Sequence, residues 1–145
     1  MGMYCAIKAI KPNADLNQRS TSLSLEKAWH GLHYLLTGSA AEGEWPLAFL
    51  LQGGEEVGED DGYGPPRLFA HDEVEELDAA LSAISDDELW RRFDPEQMEA
   101  EGVYPNCWDE AEDDLREEYL SYFHQVKQVV HNANANGLCL LVMLT

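Results

Sequence analysis

The apolar run Leu138–Leu144 (LCLLVML) near the end of the chain constrains the fold more than any other segment. A strand alternates its side chains between two faces, so a run apolar at both parities needs cover on both sides. The segment therefore predicts a central strand of a sheet. Near the start, Met3–Lys11 is a short run of small and β-favouring residues closed by Lys11-Pro12, which predicts a second strand. The two terminal strands are expected to pair at the sheet centre.

Helical periodicity fills most of the space between them. Ser24 is a cap candidate for a helix from Leu25 to Leu36, whose apolar positions 25, 28, 29, 32, 35 and 36 share one face; Gly38 then stops it. Trp45–Gln52, an apolar run ended by Gly53-Gly54, predicts a strand. Asn13–Thr21 and Gly53–Pro66 predict loops, and Arg67–Ala70 a brief strand. A helix is expected near Asp72, with Val74, Leu77, Leu81 and Ile84 on one side. Ser85 with Glu88, and Asp94-Pro95-Glu96-Gln97, carry the signatures of two capped short helices. Glu112–Asn136 predicts the longest helix, with Leu115, Tyr119, Tyr122, Phe123, Val126, Val129, Val130 and Ala133 inward and acids in its first turn. The fold class that follows is α/β: a three-layer αβα sandwich in which a small mixed sheet is covered by helices on both faces.

With 145 residues, 45% of them hydrophobic, residues 1–145 suit one domain that buries about 70% of its unfolded surface. Cys5, Cys107 and Cys139 are odd in number and widely spaced, which argues against a disulfide framework or a zinc ribbon. The N-terminus lacks a signal-peptide pattern, and no apolar run reaches the roughly 20 residues of a membrane span. A soluble, cytoplasmic protein is expected. The net charge of -19 is uneven: residues 55–118 hold 24 acids against four bases. Such an excess marks a solvated face, and it also repels nucleic acid and anionic membranes while attracting basic partners.

Few constellations carry chemistry. Glu26, His30 and His33 would share one flank of the first helix, but histidines at i and i+3 are a poor metal pair, so no metal and no cofactor is implied. Gly53–Pro66 lacks a phosphate-binding pattern, and its acids Glu56, Glu59, Asp60 and Asp61 would repel phosphate. Within and beside it, Tyr63 can stack and Arg67 can make bidentate hydrogen bonds. Cys107 beside Trp108 would need a neighbouring base to act as a nucleophile, and no catalytic frame surrounds it.

Four blocks, AWHGLHYLLTG, LLQGGEEVGEDDGYGPPRLF, AISDDELWRRFDPEQM and YPNCWDE, resemble in order and spacing the YfbM-like family of bacterial proteins of unknown function. The resemblance spans Ser24 to the C-terminus. It implies a three-layer α/β sandwich and a bacterial cytosolic protein, and supplies no activity. The Pro12–Leu23 segment is shorter than members of that family tend to have. Among positions matching the blocks, His30, His33, Glu55, Tyr63, Arg67 and Asp109 have no evident architectural duty and are the candidate ligand-binding residues.

Two functions are expected from these features. The first is a non-enzymatic interaction protein whose acidic middle segment engages a basic protein partner, as an immunity-type inhibitor of a basic toxin would. The alternative is a small-ligand-binding or hydrolytic enzyme with its pocket at His30, His33 and the Gly53–Arg67 loop. Convergence of those side chains on one concavity discriminates between them.

Overall fold

The computed structural model describes residues 3–12, 22–59 and 64–145. The Asn13–Thr21 loop prediction and Tyr63 lie outside the described residues. The elements run β1 (Cys5–Ile10), β2 (Ser22–Glu26), α1 (Trp29–Thr37), β3 (Glu55–Glu56), β4 (Arg67–Phe69), α2 (His71–Ser82), α3 (Asp86–Trp90), α4 (Pro95–Ala100), α5 (Glu112–Ala135) and β5 (Cys139–Leu144).

The sheet order is β2-β1-β5-β4-β3, with β5 at its centre and paired to β1 as expected. Cys139, Leu140, Leu141 and Val142 are all buried, so its central strand is covered on both faces. The α/β class holds, but every pairing among the described strands is antiparallel rather than mixed. β3 pairs with β4 and β2 with β1, and the stretch of sequence between the members of each pair is shorter than the dozen or more residues that a crossover between parallel neighbours needs.

Register assigns the faces. Cys5, Ile7, Phe69, Leu140 and Val142 fall on one face and join a continuous core with residues of all five helices. This sheet face and the helices against it account for two of the three layers expected. Ile10 and Leu141, of the other parity, are buried outside that cluster.

Most helices match their sequence signals. On α5, Leu115, Tyr119, Phe123, Val126, Val130 and Ala133 are buried, and Tyr122 and Val129 are half-buried at the edge of the stripe. Ser85 Oγ accepts the Glu88 N–H at 3.1 Å, and Asp94 Oδ1 accepts the Gln97 N–H at 3.2 Å, so both short helices carry the expected caps.

Two segments differ. The first helix begins at Trp29, not Leu25, and Ala28 precedes it without a side-chain cap. Leu23 and Leu25 point inward between exposed Ser22, Ser24 and Glu26, a period of two that β1 claims by pairing. Trp45–Gln52 is a succession of turns instead of a strand. Pro46 has no N–H to give a ladder, and the Ala48 carbonyl accepts both Leu51 N–H and Gln52 N–H locally.

Helix α1 lies against α5 and the loop before it with no space at Gly31. A Cβ there would sit 2.6 Å from Trp108 Cη2 and 2.8 Å from Tyr119 Cε1. Both rings are buried. Overpacking of this kind costs about 1–3 kcal/mol, more than the roughly 1 kcal/mol that Gly→Ala gains in helix propensity. Gly31→Ala should therefore lower the urea midpoint without changing the m-value. A midpoint at or above that of the parent chain would show that the α1–α5 contact has slack.

Candidate functional site

The structure gives the histidines of α1 structural work. His30 Nδ1 accepts the Tyr104 backbone N–H at 2.9 Å, which leaves Nε2–H to donate to Ala40 O at 2.6 Å. Its ring stacks on Trp29, with centroids 5.1 Å apart. His33, fully buried, donates Nε2–H to Glu42 O at 3.0 Å, and its Nδ1 is buried without a partner among the described residues. The two imidazoles thus hold the same loop, residues 39–44, onto α1. Burial lowers the pKa of both. That of His33 falls to about 4, through desolvation first, offset by the bond to Glu42 and reinforced by the nearby His30.

The remaining candidates are dispersed. Arg67 donates Nη2–H to Leu50 O at 2.5 Å and Nη1–H to Gly53 O at 3.2 Å, over the Phe69 ring. It fastens the turn segment to the sheet and reaches a small concavity of about 160 Å³ beside Glu56 and Pro65. Glu55 is exposed on β3, and Asp109 is exposed in the loop before α5. Glu26 terminates β2 and does not share a helix flank with the histidines. Among the described candidates, Arg67 lines the one small concavity beside Glu56, whereas His30, His33, Glu55 and Asp109 line neither it nor the four other cavities found among the described residues. Among the described residues no three of His, Cys, Asp or Glu are grouped to hold a metal ion. Cys107 is exposed, with Sγ 3.6 Å from Pro105 O. His30 has both ring nitrogens engaged with other groups, so it supplies no base to that thiol.

A different concavity, of about 360 Å³, opens at the corner between β2 and α1. Its floor is Trp108, Leu115 and Tyr119, all buried; Tyr4 and Tyr122 stand at its sides. Around it lie three carboxylates, Glu26, Glu110 and Glu118, against one ammonium, that of Lys27. The chain builds it from four places. Tyr4 is fixed by backbone bonds of 2.9 and 2.8 Å to Thr145. Glu26 is held with φ +50°, a left-handed conformation uncommon for a side chain of its size, as the chain turns from strand to helix. Trp108 Nε1–H donates to Val103 O at 2.9 Å, which locks the loop. Helix α5 presents Leu115, Glu118, Tyr119 and Tyr122 at i, i+3, i+4 and i+7 on one face.

The electrostatics of this corner are uneven. Partial burial and then the neighbouring Glu110 carboxylate raise the pKa of Glu118. Burial, followed by Glu118 and Glu110, raises that of the Tyr119 phenol. Tyr119 is 3% exposed, and its hydroxyl makes no hydrogen bond among the described residues. The sequence-predicted set missed this corner. Its one signal was Glu118, a carboxylate within the aromatic stripe of the longest helix.

The low His33 pKa has a testable consequence. An unfolded-chain histidine takes a proton near pH 6.5, whereas folded His33 resists until about pH 4. The unfolded state therefore binds more protons in that window, so stability attributable to His33 is complete above pH 6.5 and declines as pH falls toward 4. Urea midpoints measured between pH 7 and 5 should fall less steeply for His33→Gln than for the parent chain. Equal slopes would mean that His33 protonates freely in the folded state.

Comparison with known proteins agrees with this architecture. No curated protein matches the chain significantly. A solved structure, the protein of unknown function YfbM from Escherichia coli, superposes with a TM-score of 0.80 at 19% identity, covering 98% of this chain and 99% of that one. At that identity the likeness establishes the fold alone. The family match is to a domain of unknown function, DUF1877, over residues 1–143. The chain therefore belongs to the DUF1877 family, the YfbM-like proteins whose motifs it carries.

Proposed function

We propose that this chain is a non-enzymatic interaction protein whose acidic surface receives a basic protein partner. The observation that carries this reading is how the few basic side chains are used. Arg67 and Arg92 donate to backbone carbonyls, Arg67 at Leu50 and Gly53 and Arg92 at Leu35 and Leu36. Lys127 donates to Ile84 O at 2.9 Å. Among the described residues only Arg116–Asp87 pairs an arginine or lysine with a carboxylate, at 3.0 Å. Twenty-eight acids thus face nine lysines and arginines, of which three are turned to backbone carbonyls, and most surface carboxylates are left without a cationic partner.

It is also concentrated. Glu110, Glu112, Asp113, Asp114, Glu117 and Glu118 are all exposed at and before the first turns of α5, beside the β2–α1 corner. A surface field of one sign steers oppositely charged partners and makes association fast and salt-sensitive.

The reading is tested by affinity capture from a bacterial lysate at low and high ionic strength, with a neutralised variant in parallel. Glu112→Gln, Asp113→Asn and Glu117→Gln change exposed side chains only. The expected outcome is recovery of basic proteins at low salt, their release at high salt, and their loss from the variant with its melting temperature preserved. Recovery of no partner at either salt, or of one indifferent to both salt and neutralisation, would remove the electrostatic interaction.

A further inference from the structure

We propose that the cavity at the β2–α1 corner is a receptor for one basic side chain of the partner, a lysine ammonium or arginine guanidinium. The proposal rests on the partner reading above and assigns the contact point. A volume of about 360 Å³ lies at the small end of ligand sites, which run from roughly 300 to 1,000 Å³. It suits a single long side chain.

Three features specify the charge of the occupant. Glu26, Glu110 and Glu118 surround the cavity, so an entering cation gains three carboxylate partners while displacing water from a partly apolar space. The walls are Tyr4, Trp108, Tyr119 and Tyr122, whose ring faces attract cations. Lys27 already places its own ammonium 5.9 Å from the centroid of the Tyr4 ring at the rim.

The independent observation is Tyr119. It is 3% exposed, lines the cavity, and has a hydroxyl with no hydrogen-bond partner among the described residues. The ring is buried, but His33 Nδ1 is the sole fully buried side-chain N or O without a partner among the described residues, so the Tyr119 hydroxyl keeps some exposure and is open to an incoming donor. The phenol oxygen can accept from an ammonium or guanidinium N–H, and burial keeps the phenol protonated rather than anionic. A cation between Glu110 and Glu118 also offsets the partial burial of Glu118, the main cause of its raised pKa, and relieves the repulsion from Glu110 that adds to it.

The experiment titrates the whole chain with N-acetyl-lysine methylamide and N-acetyl-arginine methylamide, followed by NMR of the Trp108 indole N–H and the Tyr119 ring. The ε-acetylated lysine analogue is the neutral control. Saturable shifts confined to the cavity are expected for at least one charged probe and absent for the neutral one. Glu118→Gln should weaken that binding about tenfold, the loss of one charge-assisted contact. Tyr119→Phe should weaken it severalfold without lowering the melting temperature. The proposal is overturned by equal response to charged and neutral probes, by no saturable shift with either charged probe, or by unchanged binding in both variants. If salt-sensitive capture of a basic protein persists while the small cations fail, the pocket falls and the partner reading stands.

Discussion

The antiparallel ladder between the two terminal strands is the interaction on which the rest of the molecule depends. Six consecutive pairs, from Cys5 with Leu144 to Ile10 with Cys139, join segments at opposite ends of the sequence. Every other strand hangs from these two: β2 on β1, β4 on β5, and β3 on β4. Register here cannot drift, because a shift by one residue would turn Lys8 toward the helical core in place of Ile7. The ladder continues past the strand ends through the reciprocal Tyr4–Thr145 bonds, so the same pairing that organises the core also fixes Tyr4 at the edge of the β2–α1 corner.

A second economy runs through the charges. None of the five helices carries a basic residue in its own last turn. Their terminal carbonyls are served instead across space: Arg92 reaches the end of α1, Lys127 the carbonyl of Ile84 just beyond α2, and His71 Nε2 the Asn134 carbonyl of α5. A hydrogen bond from a charged donor contributes about 1.5–3 kcal/mol, whereas an exposed salt bridge contributes about 0–1 kcal/mol. With only nine lysines and arginines, directing them to carbonyls stabilises the fold more than pairing them with surface acids would. Nine bases cannot neutralise twenty-eight acids however they are paired, so the surface stays acidic and available for recognition while the bases close the fold.

Periodicity made the framework legible. The one-sided stripes of α2 and α5, the caps at Ser85 and Asp94, and the two-sided apolar β5 are local patterns whose cause lies within a few residues. Leu25 was not legible for the opposite reason. It satisfies both the alternation of Leu23 and Leu25 and the helical spacing with Ala28, Trp29 and Leu32, and only pairing with a remote strand decides between them. Trp45–Gln52 reads as a strand by composition, yet no ladder is available to it and its own carbonyls close the turns. The candidate site was hidden further still, since Glu118 within the aromatic stripe was its one signal, and nothing local joins it to Glu26 or Glu110 until the fold brings the three together.

The family blocks acquire a physical meaning in this light. Trp29 Nε1–H donates to Met3 O, the Met3 N–H donates to the Tyr104 hydroxyl, and the Tyr104 N–H donates to His30. Gly31 gives Trp108 and Tyr119 room to pack. Tryptophan, histidine, glycine and tyrosine from two distant blocks therefore form one connected assembly, and Trp108 and Tyr119, packed against Gly31, carry it to the wall of the β2–α1 cavity. Of the carboxylates around that cavity, Glu26 belongs to the strand before the first block, Glu110 follows the aromatic core of the YPNCWDE block, and Glu118 lies on α5. They contribute nothing to this hydrogen-bonded assembly. Wall geometry and charge are consequently separable. The motif residues can keep the cavity in place by packing alone, while substitution at the three acids changes what it attracts without disturbing how it is built.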